Sequence, residues 1–191
     1  MTPAKRSPFL IFGLGFLIAQ PAFVLGQGTP GSAAPMGSTT GMAEHAHAST
    51  PLSISVTLTI DGKAATVSAA DLQAMPQKSV TVHNAHTKLD ETYSGVSLGD
   101  LLAKYGFTVS QATHKKMLRS YVTAEGMDKY WVLFSAAEVE SSEHNGDVIV
   151  ATSVGGKELG EDGKFKLVAS EDKKPQRWVR NLTAITLKSA E

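Results

Sequence analysis

The sequence predicts an α+β domain that is mostly β, with mixed or antiparallel sheets and a few short helices. Apolar residues at every second position from Ile54 to Ile60 predict a strand with one buried face. Short helices are predicted where Ser-x-x-Asp or Ser-x-x-Glu patterns resemble the capping box. Strands and helices do not alternate regularly, which argues against a doubly wound parallel sheet.

The elements follow in order from local signals. Asp61-Gly62 is a strong hairpin signal, and a second strand is predicted over residues 64–67. Capping patterns that begin at Ser68, Ser97 and Ser135 predict helices over residues 69–75, 98–105 and 136–141. The remaining predicted strands are residues 79–83, 117–124, 129–134, 148–152, 165–169 and 178–187, with a possible break in the last at Asn181.

Residues 1–26 have the layout of a secretory signal peptide. Lys5 and Arg6 precede a long apolar run without charge, and small residues follow near the predicted cleavage site after Gly26. An uncleaved anchor is the alternative, but a membrane-spanning helix needs about 20 apolar residues and Pro21 interrupts this run. We therefore expect export to the periplasm or secretion, with no membrane association after cleavage.

Residues 27–51 are predicted to be a flexible linker, because Gly, Ser, Thr, Ala and Pro dominate and bulky apolar side chains are almost absent. His45 and His47 form an H-x-H pair there, which would bind a metal only weakly on a flexible segment. Residues 52–191 remain as a single folded domain, a length sufficient for one hydrophobic core.

Composition excludes several function classes. The chain has no cysteine, so it has no disulfide, no lipid-bearing cysteine and no thiolate nucleophile or ligand. Loss of the signal peptide leaves 16 basic against 18 acidic residues, which gives no electrostatic support for nucleic acid as a partner. The glycine-rich segment 153–164 lacks P-loop spacing, and no G-x-S-x-G elbow is present.

His83 and His86 are candidate ligands, but their spacing argues against a shared site on a strand. Residues three apart in an extended segment point to opposite faces, so only a turn near Asn84 would bring the two imidazoles together. A zinc site also needs three or four ligands, and no H-E-x-x-H spacing is present. The residues alone favour a polar strand end and identify no metal site and no catalytic residue.

The stretch EDKKPQRWVRNLTAITL near the C-terminus concentrates positive charge around Trp178. Arg177 and Arg180 could form an anion pocket, because guanidinium groups bind phosphate in a bidentate manner. The alternative is a final strand that buries Trp178 behind a solvated basic segment, and periodicity favours it. Asn181-Leu-Thr183 also matches the N-glycosylation pattern, within that predicted strand.

Four stretches, taken in order, resemble the oxidoreductase molybdopterin-binding domain of the sulfite-oxidase type. They are LTIDGKAATVSAADLQAMP, YSGVSLGDLLAKYGF, EGMDKYWVLFSAAEV followed by DVIVATSVGGKEL, and GKFKLVASEDKKPQRWVRNLTAITL. Together they cover residues 55–188. The resemblance implies an α+β fold with a strongly curved, largely β core.

The resemblance also implies where a cofactor would lie. In enzymes of that family a cysteine thiolate before the Gly-Val-x-Leu turn ligates molybdenum, but the matching segment VTVHNAHTKLDETYSGV has no cysteine and places His83 or Asn84 near that position. Basic residues of the last stretch contact the pterin phosphate in the family, which implies that role for Arg177. The candidate cofactor-binding residues are thus His83, Asn84, His86, Arg177 and Arg180.

Two hypotheses remain open for function. The first is an exported, non-catalytic relative that keeps the fold as a binding or accessory module, without a cofactor and with an unidentified small ligand or protein as its partner. The second is a redox enzyme or metal-binding protein in which His83 replaces the cysteine, with molybdopterin as the cofactor that the resemblance allows. The missing soft ligand favours the first, and no oligomeric state is specified.

Overall fold

The computed structural model describes residues 51–85 and 87–190. The predicted signal peptide and nearly all of the predicted linker, with His45 and His47, lie outside the described residues, and so does His86. The described helices are α1 (Ala69–Gln73), α2 (Leu98–Lys104), α3 (His114–Met117) and α4 (Ala136–Val139), with short 3-10 helices at Gly160–Asp162 and Pro175–Arg177. The described strands are β1 (Ser55–Ile60), β2 (Lys63–Ser68), β3 (Lys78–Asn84), β4 (Leu89–Ser97), β5 (Ser120–Gly126), β6 (Trp131–Ser135), β7 (Val148–Val154), β8 (Lys157–Glu158), β9 (Lys166–Ala169) and β10 (Leu182–Ser189).

The first sheet has the strand order β2-β1-β10-β5-β6. β1 and β10 run parallel, with Leu58 opposite Ile185, and the other neighbours are antiparallel. The β1–β2 connection is the predicted hairpin, since Asp61 and Gly62 both have positive φ angles, of 46° and 84°, as a type I′ turn requires.

The second sheet has the order β3-β4-β7-β8, and β9 pairs with β7 on the same side as β8. The pairing of β4 with β7 shifts register between Ser94 and Gly95. Gly95 is required at this bulge because a Cβ atom there would lie 2.1 Å from the carbonyl oxygen of Val150. β4 is consequently pressed closely against β7 where it leads into α2.

One hydrophobic core joins strands of both sheets and the short helices. α2 contributes three buried leucines at helical spacing, Leu98, Leu101 and Leu102, which face β4 and β7. Phe134 on β6 and Phe165 before β9 are among the largest fully buried side chains. Among the described residues, no helix has the length and apolar character needed to cross a membrane.

Several element predictions needed correction. β4 (Leu89–Ser97) was not predicted as a strand, because its first half is polar and exposed. The strand predicted from Met117 begins at Ser120, since Met117 ends α3. The helix predicted to residue 141 ends at Val139, where Glu140 becomes extended.

The strand ends near the termini of the domain also differ from the prediction. The strand predicted over residues 178–187 is confined to β10, because Pro175 fixes a 3-10 turn and Asn181 adopts a left-handed φ of 46°. Ile54 was predicted on the buried face of the first strand, but it is 79% exposed because β1 starts only at Ser55.

Candidate functional site

An open cavity of about 660 Å³ lies where β4, β9 and the two 3-10 helices meet. We call it the Tyr93 cavity, and its wall includes Glu91, Tyr93, Asp162, Lys166, Trp178 and Arg180. Asn84, Thr87 and Glu161 also line it, together with apolar surface from Val154 and Pro175. Glu91 and Tyr93 of β4 both line the cavity, because positions two apart on a strand share one face.

Glu91 accepts three side-chain hydrogen bonds at the cavity. The hydroxyl of Tyr93 donates to Glu91 Oε2 over 2.7 Å, and Asn84 Nδ2 donates to Glu91 Oε1 over 2.8 Å. A longer bond of 3.3 Å comes from the hydroxyl of Thr87. Both oxygens of the Glu91 carboxylate therefore already accept hydrogen bonds from side chains of β3, the β3–β4 turn and β4.

Lys166 is the only buried charged side chain among the described residues, with 6% of its surface exposed. Its Nζ donates to Asp162 Oδ2 over 2.6 Å and to the hydroxyl of Tyr93 over 3.0 Å. The ammonium also lies 4.6 Å from the ring centre of Tyr93 and 5.3 Å from that of Trp178. These contacts offset the cost of burying the charge.

The aromatic pair that flanks the ammonium is fixed in place. Tyr93 and Trp178 pack edge to face, with ring centres 5.6 Å apart and an angle of 76° between the planes. The indole Nε1 of Trp178 donates to the carbonyl of Ala169 over 2.9 Å. Trp178 is 9% exposed, so its predicted burial is confirmed.

The protonation states at the cavity follow from burial and hydrogen bonding. Burial, with a further contribution from the Glu91 carboxylate, raises the pKa of the Tyr93 phenol above its ordinary value. Burial also raises the pKa of Glu91, but the hydrogen bonds from Tyr93, Asn84 and Thr87 outweigh it, and the pKa lies below its ordinary value. At neutral pH, therefore, Tyr93 keeps its proton and donates to an ionised Glu91.

Two of the predicted site residues line this cavity. Asn84 lines the cavity and donates a hydrogen bond to Glu91. Arg180 also lines it, with a side chain that is 69% exposed. Arg180 Nε is 3.8 Å from Asp162 Oδ1, a loose contact. The fold therefore brings together residues 96 positions apart in the sequence, which no local pattern indicated.

His83 and Arg177 lie elsewhere. The side chain of His83 is 61% exposed, and its Nδ1 is 2.9 Å from Asp90 Oδ1 on the neighbouring strand. Arg177 donates to both carboxylate oxygens of Asp172, over 3.0 and 2.6 Å, and to Glu138 over 2.9 Å. Its guanidinium also stacks 4.5 Å from the ring centre of Phe134.

Through these contacts Arg177 connects the loop that contains Asp172 with α4, which contains Glu138, and with Phe134 on β6. The hydrogen bonds that the guanidinium donates to Asp172 hold its pKa above the ordinary value, although burial opposes this. A guanidinium whose fork already faces two carboxylates presents little to a phosphate. His86 lies outside the described residues.

The sequence did not single out Glu91, Tyr93, Asp162, Lys166 or Trp178 as site residues. One signal was present, because Lys166 is the only charged residue in the strand predicted over residues 165–169, and a charge in an apolar strand needs a partner. The alternation of Glu91 and Tyr93 would have been a second signal, had β4 been predicted.

A second cavity, of about 680 Å³, adjoins the Tyr93 cavity and shares Glu161 and Arg180 with it. Its wall is completed by Pro51, Leu52, Asp128, Gly160 and Asn181. The side-chain amide of Asn181 is engaged there, since Nδ2 donates to the carbonyl of Pro51 and Oδ1 accepts from the backbone of Ser53. We take the Tyr93 cavity as the candidate site because it holds the buried ionic network.

The side chains that line the Tyr93 cavity do not fit a molybdopterin cofactor whose molybdenum is ligated by a cysteine thiolate. The chain has no thiolate to ligate molybdenum, and the soft ligand has no substitute at the cavity. In the part of the chain that the structure describes, no group of three or more His, Asp and Glu side chains could hold a metal ion.

Comparison with known proteins bears on the fold. No protein-family model matches the chain, and no curated protein matches it. Among solved structures, the sulfane dehydrogenase SoxCD from Paracoccus pantotrophus is similar, with a TM-score of 0.54 and 18% sequence identity. The match covers 72% of this chain but only 39% of that chain.

At this identity the likeness concerns the fold alone. It confirms the predicted fold class, α+β with mixed and antiparallel sheets and few short helices. The relation to molybdopterin-dependent oxidoreductases stays a prediction of the resemblance. Molybdopterin itself remains an expectation of the resemblance.

Proposed function

We propose that residues 52–191 form an exported, non-catalytic relative of the molybdopterin-dependent oxidoreductases that binds a small polar ligand in the Tyr93 cavity. The observation that carries the proposal is the wall of this cavity. The chain has no cysteine, and this wall holds an ionic network of Glu91, Tyr93, Lys166 and Asp162, to which Asn84 is joined through Glu91.

The network suits binding better than turnover. Each of its members already has a hydrogen-bonded partner, and the raised pKa of Tyr93 makes the phenol a poor proton donor at neutral pH. A fixed, fully paired polar wall beside aromatic surface is typical of sites that orient a ligand.

Export and an accessory role rest on the sequence. A positive residue pair followed by an uncharged apolar run supports secretion, and the absence of cysteine supports a role other than molybdenum catalysis. The alternative, a metal or redox site built on His83, gains no support from its surroundings. His83 is exposed and pairs with Asp90, away from the Tyr93 cavity.

The test is a metal and pterin analysis of protein produced from the full sequence in cells that make molybdenum cofactor. Molybdenum would be measured by mass spectrometry and pterin by fluorescence after oxidation, with a known molybdoenzyme from the same cells as positive control. We expect both contents to be far below one per chain, and equal in wild type and His83→Ala. Stoichiometric molybdenum together with pterin would overturn the proposal.

A further inference from the structure

The carboxylate of Asp162 lies between two cations at the wall of the Tyr93 cavity. One oxygen is 2.6 Å from Lys166 Nζ, and the other is 3.8 Å from Arg180 Nε. The Lys166 side chain is 8% exposed and that of Asp162 is 25% exposed, whereas the Arg180 side chain is 69% exposed. A buried and an accessible cation therefore flank a single carboxylate at the mouth of a cavity.

A contribution to stability does not by itself account for the burial of Lys166. A buried ion pair contributes little stability compared with apolar residues of the same volume, because removing both charges from water is unfavourable. Both sequence neighbours of Lys166, Phe165 just before β9 and Leu167 on it, are fully buried. A buried charge in the wall of an open cavity is a candidate binding group.

Asp162 is attached in a way that lets its side chain leave without the backbone. Its carbonyl accepts a hydrogen bond from the backbone N–H of Asn181 over 2.6 Å, which fixes the main chain. Within residues 51–85 and 87–190, by contrast, the carboxylate contacts only Lys166 and Arg180. Rotation about the Cα–Cβ bond would move it off both cations.

We propose that Lys166 and Arg180 form an oxyanion site that the Asp162 carboxylate occupies in the free protein. The ligand of the Tyr93 cavity then carries a carboxylate, phosphate or sulfate group that replaces Asp162 between the two cations. The inference rests on the proposed function and names the ligand class for the same cavity.

The surroundings fit a ligand larger than its anionic group. Arg180 lines both the Tyr93 cavity and the adjoining one, and each has a volume above 600 Å³. Pro175 and Trp178 offer an apolar surface beside the cations for the body of the ligand. Asp162 is tethered next to Lys166, so a simple anion has to compete with a high local concentration of carboxylate.

The experiment titrates inorganic phosphate into protein produced from the full sequence, at constant ionic strength. Binding is followed by NMR through the two indole N–H signals, since Trp178 borders the site while Trp131 is 59% exposed on β6 and serves as an internal reference. Parallel titrations with sulfate and with acetate distinguish a tetrahedral anion from a carboxylate.

The decisive comparison is Asp162→Asn against Glu161→Gln. Both changes remove one negative charge from the cavity, but only Asp162 contacts Lys166. Asp162→Asn should bind phosphate at least about tenfold more tightly than wild type, and Glu161→Gln should stay within about twofold of it. Equal effects of the two variants, or no shift of the Trp178 signal in either, would reject the placeholder role of Asp162.

Asp162→Asn leaves Lys166 without its carboxylate, so a second variant guards against loss of folding. Arg180→Met in the otherwise wild-type chain should weaken phosphate binding at least about fivefold, because the accessible cation is lost. Lys174→Met removes an exposed positive charge outside the cavity and should leave binding unchanged. Equal weakening by both would show nonspecific attraction and contradict the site.

Failure of this inference can be told from failure of the proposed function. If phosphate, sulfate and acetate all fail to bind while molybdenum and pterin are absent, the oxyanion class is wrong and the non-catalytic role stands. If molybdenum and pterin are present in stoichiometric amounts, the proposed function fails whatever the titrations give.

Discussion

At the scale of single residues, the basic side chains of Arg177 and Lys166 have different surroundings. Arg177 was the residue that the resemblance matched to a phosphate, yet Asp172 and Glu138 engage its guanidinium. No sequence pattern predicted a role for Lys166, yet it is the buried cation of the Tyr93 cavity. The difference lies in the partners that the fold supplies, since three hydrogen bonds to carboxylate oxygens engage the guanidinium of Arg177, whereas Lys166 lies in the wall of the Tyr93 cavity with one carboxylate partner.

Gly95 gives a prediction at this scale. A Cβ atom there would meet the backbone of Val150 and Ala151 at 2.1 and 2.6 Å, and backbone cannot yield as a flexible side chain can. Gly95→Ala should therefore reduce the free energy of unfolding by at least about 2 kcal/mol. Chemical denaturation measures this.

Ser94→Ala is the matched control for Gly95→Ala, because Ser94 is the neighbouring residue of β4 and loses only an exposed hydrogen bond to Ser79. Its loss of stability should stay below about 1 kcal/mol. If Gly95→Ala were no more destabilised than Ser94→Ala, the close approach of β4 to β7 would be wrong.

At the scale of elements, capping decides where the short helices begin. The boxes predicted at Ser68 and Ser135 are confirmed. Each serine hydroxyl accepts from the backbone N–H three residues later, and the backbone N–H of the serine donates to the carboxylate of that residue. The pattern at Ser97 is followed by α2 as predicted, but Ser97 makes no side-chain capping bond. Ser97 is 7% exposed at the end of β4, so packing places the start of α2.

This contrast predicts the effect of three alanine substitutions. Ser68→Ala and Ser135→Ala should each lower the free energy of unfolding by about 1 kcal/mol, because a capping bond is lost. Ser97→Ala loses no such bond and should change it by less than about 0.5 kcal/mol. Urea denaturation of the three variants checks this, and an equal loss in all three would contradict the assignment of the caps.

At the scale of the whole molecule, several carboxylates link folding to pH. A hydrogen bond from Lys116 lowers the pKa of Asp61, and the Ser68 hydroxyl lowers that of Asp71. Burial raises the pKa values of Glu91 and Glu138, but hydrogen bonds outweigh it and both lie below the ordinary value. The unfolded chain therefore takes up protons at higher pH than the folded protein, and acid favours unfolding.

Glu91→Gln tests this linkage. The stability that ionised Glu91 contributes is present above its unfolded pKa of 4.5 and is lost as the pH falls through the lower folded value. Wild type should exceed the variant by on the order of 1 kcal/mol at neutral pH, after allowance for solvent screening of a half-buried group. Denaturation from about pH 7 to about pH 3 should show this advantage disappearing.

The control for Glu91→Gln is Glu161→Gln, which removes an exposed carboxylate at the edge of the same cavity. Its stability should follow that of wild type across the whole pH range. A wild-type advantage over Glu91→Gln that persists unchanged in acid would show that hydrogen bonding to the ionised carboxylate is not its source.

The sequence by itself determined the features that depend on neighbouring residues. Alternation predicted β1, Asp61-Gly62 predicted the first hairpin, and the serine-acid pairs predicted two capped helices. The α+β class followed from the same signals. Their physical causes, side-chain alternation, turn conformation and local hydrogen bonds, act over two to four residues and can be read directly.

Only the tertiary structure decided the site. Tyr93 and Lys166 are 73 residues apart, and the β4–β7–β9 pairings bring them into contact. The parallel pairing of β1 with β10 and the carboxylates around Arg177 depend on distant segments in the same way. Long-range contacts form because the chain buries one common core, and no local pattern encodes which polar groups that packing leaves facing a cavity.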